Sequence, residues 1–246
     1  MMDQQTFDHW VAQGYNRIPV AKTILADVET PLSAYMKLAA GPYSFLFESV
    51  QGGEKWGRYS IIGLPARQRM RVQGKRITLE RDGVAPTVFE SEDPLAEVEA
   101  QHAKFRSAPI EGLPVFHGGL VGYFGYDVVR SVETKLEQHD QIDALNTPDI
   151  LLLVAEEVLV FDNLAGTLTM VVTANAEEPD ARSAALARLK ALEHQLPQPG
   201  PALEPISLEG TDLQSIEAAA RHHTDREQFM GWVETIRKSI LDGDVM

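Results

Sequence analysis

Glu48, Ser49 and Arg58 are polar residues in a stretch that is otherwise rich in apolar ones, FLFESVQGGEKWGRYSIIG, residues 45–63. The stretch reads as two strands, about 43–50 and 56–62, joined by the turn Gln51-Gly52-Gly53-Glu54. A carboxylate, a hydroxyl and a guanidinium at the ends of an apolar hairpin are suited to holding a zwitterion. The carboxylate takes an ammonium, while the guanidinium and hydroxyl take a carboxylate. The same spacing also fits a surface hairpin whose charges are solvated or loosely paired. Spacing alone does not separate the two.

Other chemistry is harder to find. The chain has no cysteine, which excludes disulfides, thiolate nucleophiles and zinc–thiolate sites. It has no H-E-x-x-H, no calcium loop and no G-x-S-x-G. His222 and His223 are adjacent, so in a helix or strand they face different ways. Glu156 and Glu157 are adjacent within a predicted strand and should point to opposite faces, whereas paired carboxylate catalysis needs both on one side. The run 115–127 carries Gly119, Gly122 and Gly125, but neither the dinucleotide nor the Walker spacing, and no Lys-Ser/Thr follows. Glycines among Val, Tyr and Phe instead mark a strand that twists or admits another backbone closely. Asp127, which follows, reads as a helix cap. Taken alone, these residues outline no active site, and the hairpin is the best candidate ligand site.

The elements that must position the hairpin follow from periodicity. Short helices are predicted over 6–13 and 31–39, the second capped by Thr30 with Pro31 at its first position and Leu32, Tyr35, Met36 and Ala39 inward. Ile18-Pro19-Val20 reads as an extended edge. Strands are predicted at 69–72, 76–81 and 87–89, with turns at Gly74 and Asp82-Gly83. A helix over 93–105 has Leu95, Val98 and His102 inward, and 133–148 reads as loop. The strongest strand signal is 149–161, followed by a turn at 162–166 and a β-branched return over 167–173. A helix over 179–195 carries the stripe Ala185, Leu186, Leu189 and Leu192. A linker over 198–223 leads to the capping box Thr224-Asp225-Arg226-Glu227 and a last helix with Phe229, Trp232, Val233, Ile236 and Ile240 on one stripe, ended by Gly243. Such a stripe needs something to pack on, and Asp244-Val245-Met246 resembles the entry to a strand. The expectation is a piece of a longer chain, cut at a domain boundary.

Bulk properties narrow the class. The chain has 246 residues, 44% hydrophobic and 24% charged, as expected for a soluble globular protein. A formal net charge of −14 argues against a nucleic-acid or anionic-membrane surface. No signal peptide or membrane-length apolar run is visible, so the expected location is the cytoplasm.

The run FLFESVQGGEKWGRYSIIG resembles the amino-terminal domain of the anthranilate synthase component I family, one of the chorismate-utilising enzymes. GGLVGYFGYDVVR (118–130) and NTPDILLLVAEEVLVFDNLAG (146–166) look like the same family in the same order, and FMGWVETIRKSILDGDVM (229–246) is similar to the first helix of its chorismate-binding domain. The resemblance runs from about Gly14 onward. It implies an α+β fold of mostly antiparallel sheets with flanking helices, part of a four-layer α/β/β/α sandwich. It also implies two domains here: 1–222, carrying tryptophan regulation, and 223–246, the start of the catalytic domain.

The family's complete subunit is a lyase of tryptophan biosynthesis that converts chorismate and ammonia to anthranilate and pyruvate. Mg²⁺ binds beside chorismate, and ammonia comes from a glutamine amidotransferase subunit. The catalytic residues and metal belong to the carboxy-terminal domain, so the resemblance implies none in this chain. It implies that this part supplies half of an allosteric feedback site for L-tryptophan. The family's aliphatic-Glu-Ser motif matches Leu46-Phe47-Glu48-Ser49, with Phe47 where leucine is usual, and Tyr59 is a further candidate for the indole wall. The family's basic residue on the next strand matches Arg58, with Lys55 as the competing assignment. The related aminodeoxychorismate synthases of folate synthesis, and a stand-alone amino-acid-binding module, are the alternatives.

Overall fold

The longest apolar run of the chain is not one strand. In the computed structural model, which describes residues 2–48, 57–136, 145–202 and 212–246, it breaks at Glu156 into β8 (Ile150–Ala155) and β9 (Glu157–Asp162). The two halves belong to different sheets. Both sheets have five strands, and all their strand pairings are antiparallel.

The first sheet has the order β1-β10-β9-β3-β2, from β1 (Arg17–Leu25), β10 (Thr167–Asn175), β3 (Tyr59–Gly63) and β2 (Phe45–Glu48) around β9. The second has the order β6-β5-β4-β8-β7, adding β6 (Val84–Glu90), β5 (Arg76–Arg81), β4 (Gln68–Gln73) and β7 (Gly119–Phe124). β1 is an edge strand, which accommodates Pro19 and its missing N–H.

Alternation sorts the core into three layers of contact. Ile18, Val20, Ile62, Leu159, Phe161, Leu168 and Met170 face one way from the first sheet. They meet Phe7 of α1 (Gln4–Ala12), Ala34 of α2 (Pro31–Leu38), and Ala185, Leu189 and Leu192 of α4 (Ala181–Gln195). Val158, Val160, Phe45 and Ile61 face the other way, toward Ala155 and Val121 of the second sheet. The far side of that sheet presents Met70, Val72, Ile77, Ile150 and Leu152 to Leu95 and Val98 of α3 (Pro94–Ala103).

Several expectations need correction. Leu32 is 52% exposed rather than inward, and Ala34 is the buried residue of α2. His102 is exposed rather than inward, and α3 packs through Leu95 and Val98, with Pro94 buried at its start. The N-cap of α2 is as expected, with Thr30 and Ser33 bonding each other's backbone at 2.9 and 3.0 Å. Asp127 caps nothing: a 3₁₀ turn over Tyr126–Ser131 starts after Gly125, and the Asp127 carboxylate takes Arg130 Nε at 3.0 Å.

The chain divides into two compact units, Met1–Pro201 and Ala202–Met246. The second holds α5 (Leu213–Ala219), inside the segment expected to be linker, and α6 (Arg226–Asp242). Asp225, one residue later than expected, caps α6 by accepting from Gln228 N at 2.8 Å. Gly243, at φ +83°, closes it. Phe229, Trp232, Val233, Ile236 and Ile240 form its apolar stripe, and each is between 42% and 57% exposed.

The glycine-rich run 119–124 is strand β7, and Gly122 serves close approach. A Cβ at Gly122 would lie 1.8 Å from the Leu151 carbonyl oxygen on the neighbouring strand. That oxygen is backbone and cannot swing aside. Gly122→Ala should therefore cost at least about 2 kcal/mol of stability by forcing β7 off β8, measured by urea denaturation. An unchanged midpoint would contradict the close approach.

Candidate functional site

The hairpin of the opening motif pairs Phe45 with Gly63, Leu46 with Ile62, Phe47 with Ile61 and Glu48 with Ser60. Gly63 is required there. A Cβ on it would lie 1.9 Å from Phe45 Cε1, because the Phe45 ring lies across that position. The Phe47 ring follows, with centroids 5.0 Å apart. Among the described residues β2 is an edge strand of the first sheet, and Phe47 and Glu48 at its end are exposed.

The structure separates residues that the motif places side by side. Leu46 packs into the core with α2 and α4, whereas Phe45 lies on the opposite face between the sheets. Phe47, two residues on, shares the Phe45 face and is 54% exposed. Leu46 and Phe47 therefore cannot line one slot together, which corrects the expectation that they would. Phe47 and Tyr59, which is 39% exposed, share a face by register through Ile61. Glu48 is exposed at the last position of β2. Ser49, Lys55 and the turn 51–54 lie outside the described residues.

Arg58 sits one residue before β3 rather than within it, and it is already engaged. Its Nε donates to Asp162 Oδ1 and Oδ2 at 2.9 and 3.0 Å, and its Nη2 to Oδ2 at 2.6 Å. Its Cζ lies 4.9 Å from the Tyr59 ring centroid. Asp162 Oδ1 also accepts the turn amides of Leu164 and Ala165, both at 3.1 Å. The hydrogen bonds from Arg58 hold the Asp162 carboxyl below its ordinary range, and the turn amides act in the same direction. The guanidinium is raised by the same pair.

Asp162 is the residue that sequence reasoning missed. The sequence marks it only as the start of a turn, whereas Tyr59 and Asp162 are register partners. Finding it required the pairing of β3 with β9, strands about a hundred residues apart in the chain.

The other acidic pair does not sit within one strand as expected: the run breaks at Glu156, and Glu156 and Glu157 both border one pocket with Arg67, Arg81, Glu178 and Arg188. Glu157 takes Arg188 through Nε at 2.9 and 3.0 Å and Nη2 at 2.7 Å. Glu156 instead has Arg17 as its nearest cation, with Nε at 4.0 Å, and burial pushes its carboxyl up. Among the described residues, no three His, Asp or Glu side chains gather where a metal ion could be held. No described helix is long and apolar enough to cross a membrane.

Comparison with known proteins adds what geometry does not. Residues 44–246 match the family described as chorismate binding enzyme. Anthranilate synthase component 1 of Pseudomonas putida is 48% identical over 245 residues, all of this chain and 49% of that protein. The same-named protein of Pseudomonas aeruginosa is 47% identical, and that of Neisseria gonorrhoeae 39%. The chain thus spans about half the length of the curated relatives it matches. A crystal structure of anthranilate synthase component I from Streptococcus pneumoniae superposes with a TM-score of 0.53 at 27% identity, over 90% of this chain and 46% of that one.

The Arg58–Asp162 pair gives a pH test. The Asp162 carboxyl is more acidic folded than unfolded, so its stabilisation is complete above the ordinary value of 3.8 and is lost as pH falls through the lower folded value. Asp162→Asn should make the acid limb of a stability–pH curve shallower below about pH 4. Parallel acid limbs for the variant and the parent protein would contradict the pairing.

Proposed function

This chain belongs to the chorismate-binding enzyme family, and from that premise we propose that it is the regulatory and structural part of an anthranilate synthase component I. The observation that carries the reading is the 48% identity to a protein of that name over the whole of this chain but only 49% of the relative. In the complete protein, chorismate and ammonia yield anthranilate and pyruvate, with ammonia delivered by a glutamine amidotransferase subunit. The family match runs over 44–246, through both compact units, so it does not by itself divide regulation from catalysis. We assign chorismate chemistry and its Mg²⁺ to the half of the relatives that this chain does not match.

The hairpin is then one wall of a site for L-tryptophan. Glu48, exposed at a sheet edge, is suited to receive the ammonium, and Ser49 to donate to the carboxylate. Phe47 and Tyr59, on one face and partly open, are suited to the indole. Leu46 supports from the core beneath rather than lining the slot. The Nε and Nη2 edge of Arg58 is taken by Asp162, so Arg58 has less to offer a ligand carboxylate, and Lys55 gains as the basic ligand. The site borders an open edge, and a second wall from the rest of the protein would let the inhibitor prefer one arrangement of the whole.

In the full-length protein, Glu48→Ala and Ser49→Ala should raise the half-inhibitory concentration of tryptophan by about tenfold or more, as expected for losing a hydrogen bond to a charged group. The uninhibited rate should change little. Unchanged inhibition in both variants would overturn the site. The 246-residue chain alone, supplied with chorismate, ammonia and Mg²⁺, should form no anthranilate. Measurable product would overturn the division of labour.

A further inference from the structure

The most unusual side chain of the first sheet lies at its other edge, away from the hairpin. Arg17 opens β1 with only 8% of the residue exposed. One nitrogen anchors its guanidinium: Nη1 donates to the Asn16 carbonyl at 3.0 Å and to Asn175 Oδ1 at 2.6 Å. The Phe105 ring centroid lies 5.0 Å from Cζ. The Nε–H is buried and, among the described residues, makes no hydrogen bond. Its nearest carboxylate oxygen, Glu156 Oε1, is 4.0 Å away and out of hydrogen-bond reach. A buried donor without an acceptor costs folding free energy unless something else supplies one.

A cavity of about 140 Å³ opens at this point, lined by Arg17, Phe105, Gly118, Gly119, Glu156 and Thr173 among others. The glycine pair shapes it. Gly118 and Gly119 take φ +147° and +133°, and a Cβ on Gly118 would lie 3.0 Å from the Ala155 carbonyl and 3.4 Å from Thr173 Oγ1. A single water occupies about 30 Å³ of liquid, so the cavity is several times larger than one bridging water needs.

We propose that this cavity is a binding site for a small monocarboxylate, separate from the hairpin site and held by the uncommitted Nε side of Arg17. A guanidinium edge matches a planar carboxylate, and the ring of Phe105 with the backbone of Gly118 and Gly119 suits a short apolar tail. Glu156 flanks the same space, and Glu177 Oε2 lies 3.8 Å from Arg17 Nη1, so a dianion such as phosphate is disfavoured. Burial raises the Glu156 carboxyl, and in its protonated form it can donate to the second oxygen of the ligand. An occupant would touch β1, β10 and the junction between the sheets at once, so it would stiffen the junction.

Titration of the whole chain with ¹³C-labelled acetate, followed by NMR, should show saturable binding that equimolar phosphate does not displace. Arg17→Lys keeps the charge but removes Nε, and should weaken binding by about tenfold or more. Ser107 is exposed and also lines the cavity, so Ser107→Phe should block entry while leaving the melting temperature unchanged, and it serves if Arg17→Lys does not fold. No saturable response in the folded parent chain, an undiminished response in Ser107→Phe, or a crystal soaked in acetate that shows only water between Arg17 and Glu156 would overturn the proposal.

Discussion

Both sheets depend on one residue step, from Ala155 to Glu157. An apolar run long enough for one strand is shared between two sheets, and the backbone must turn without losing its hydrogen bonds. It does so by borrowing partners: Thr173 N donates to the Glu156 carbonyl at 2.7 Å, and Leu64 N to the Glu157 carbonyl at 3.1 Å. Arg188 then holds the Glu157 side chain. Because β8 and β9 emerge from the same step, the faces carrying Ala155 and Val158 meet, and the contact between the sheets follows. Burial on either side does most of the stabilising. Emptying a fully buried site such as Leu159 costs about 2–5 kcal/mol, against about 0–1 kcal/mol for a typical surface ion pair.

That junction also sets how the hairpin is held. Strand β9 carries buried apolar residues along its length and ends on Asp162, which reaches across to Arg58. The hairpin β2–β3 is therefore moored to the centre of the sheet by register and by an ion pair, while its outer strand is an edge among the described residues. A moored strand with an open edge suits a regulatory wall, because it can hold geometry on one side and accept a partner on the other. Arg17 and Glu156 mark the opposite situation: charges drawn into a junction that backbone geometry requires, beside space that their own contacts leave unfilled.

Much of this was legible in the residues, and the rest failed for identifiable reasons. Turns at Gly74, Asp82-Gly83 and 162–166 were readable because positive φ and short polar side chains leave a local mark. The N-cap of α2 and the stripe of α4 were readable for similar local reasons. The break at Glu156 was not, because a continuous apolar run has no internal punctuation, and only long-range pairing decides where it divides. The same limit hid Asp162. Leu46 and Phe47 read as one apolar wall until alternation on a paired strand sent them to opposite faces. Thr224 was a plausible cap, and Asp225 next to it was an equally good one, so the sequence alone could not choose.

The central claim is that the hairpin of residues 45–63 is a wall of a tryptophan site in a chorismate-binding enzyme. Hydrogen–deuterium exchange on the full-length protein, with and without L-tryptophan, tests it most directly. Added tryptophan should slow exchange in the amides of 45–63, with weaker effects along β9 through the Arg58–Asp162 pair. Slowed exchange confined to other segments, with the amides of 45–63 unchanged at saturating tryptophan, would contradict it.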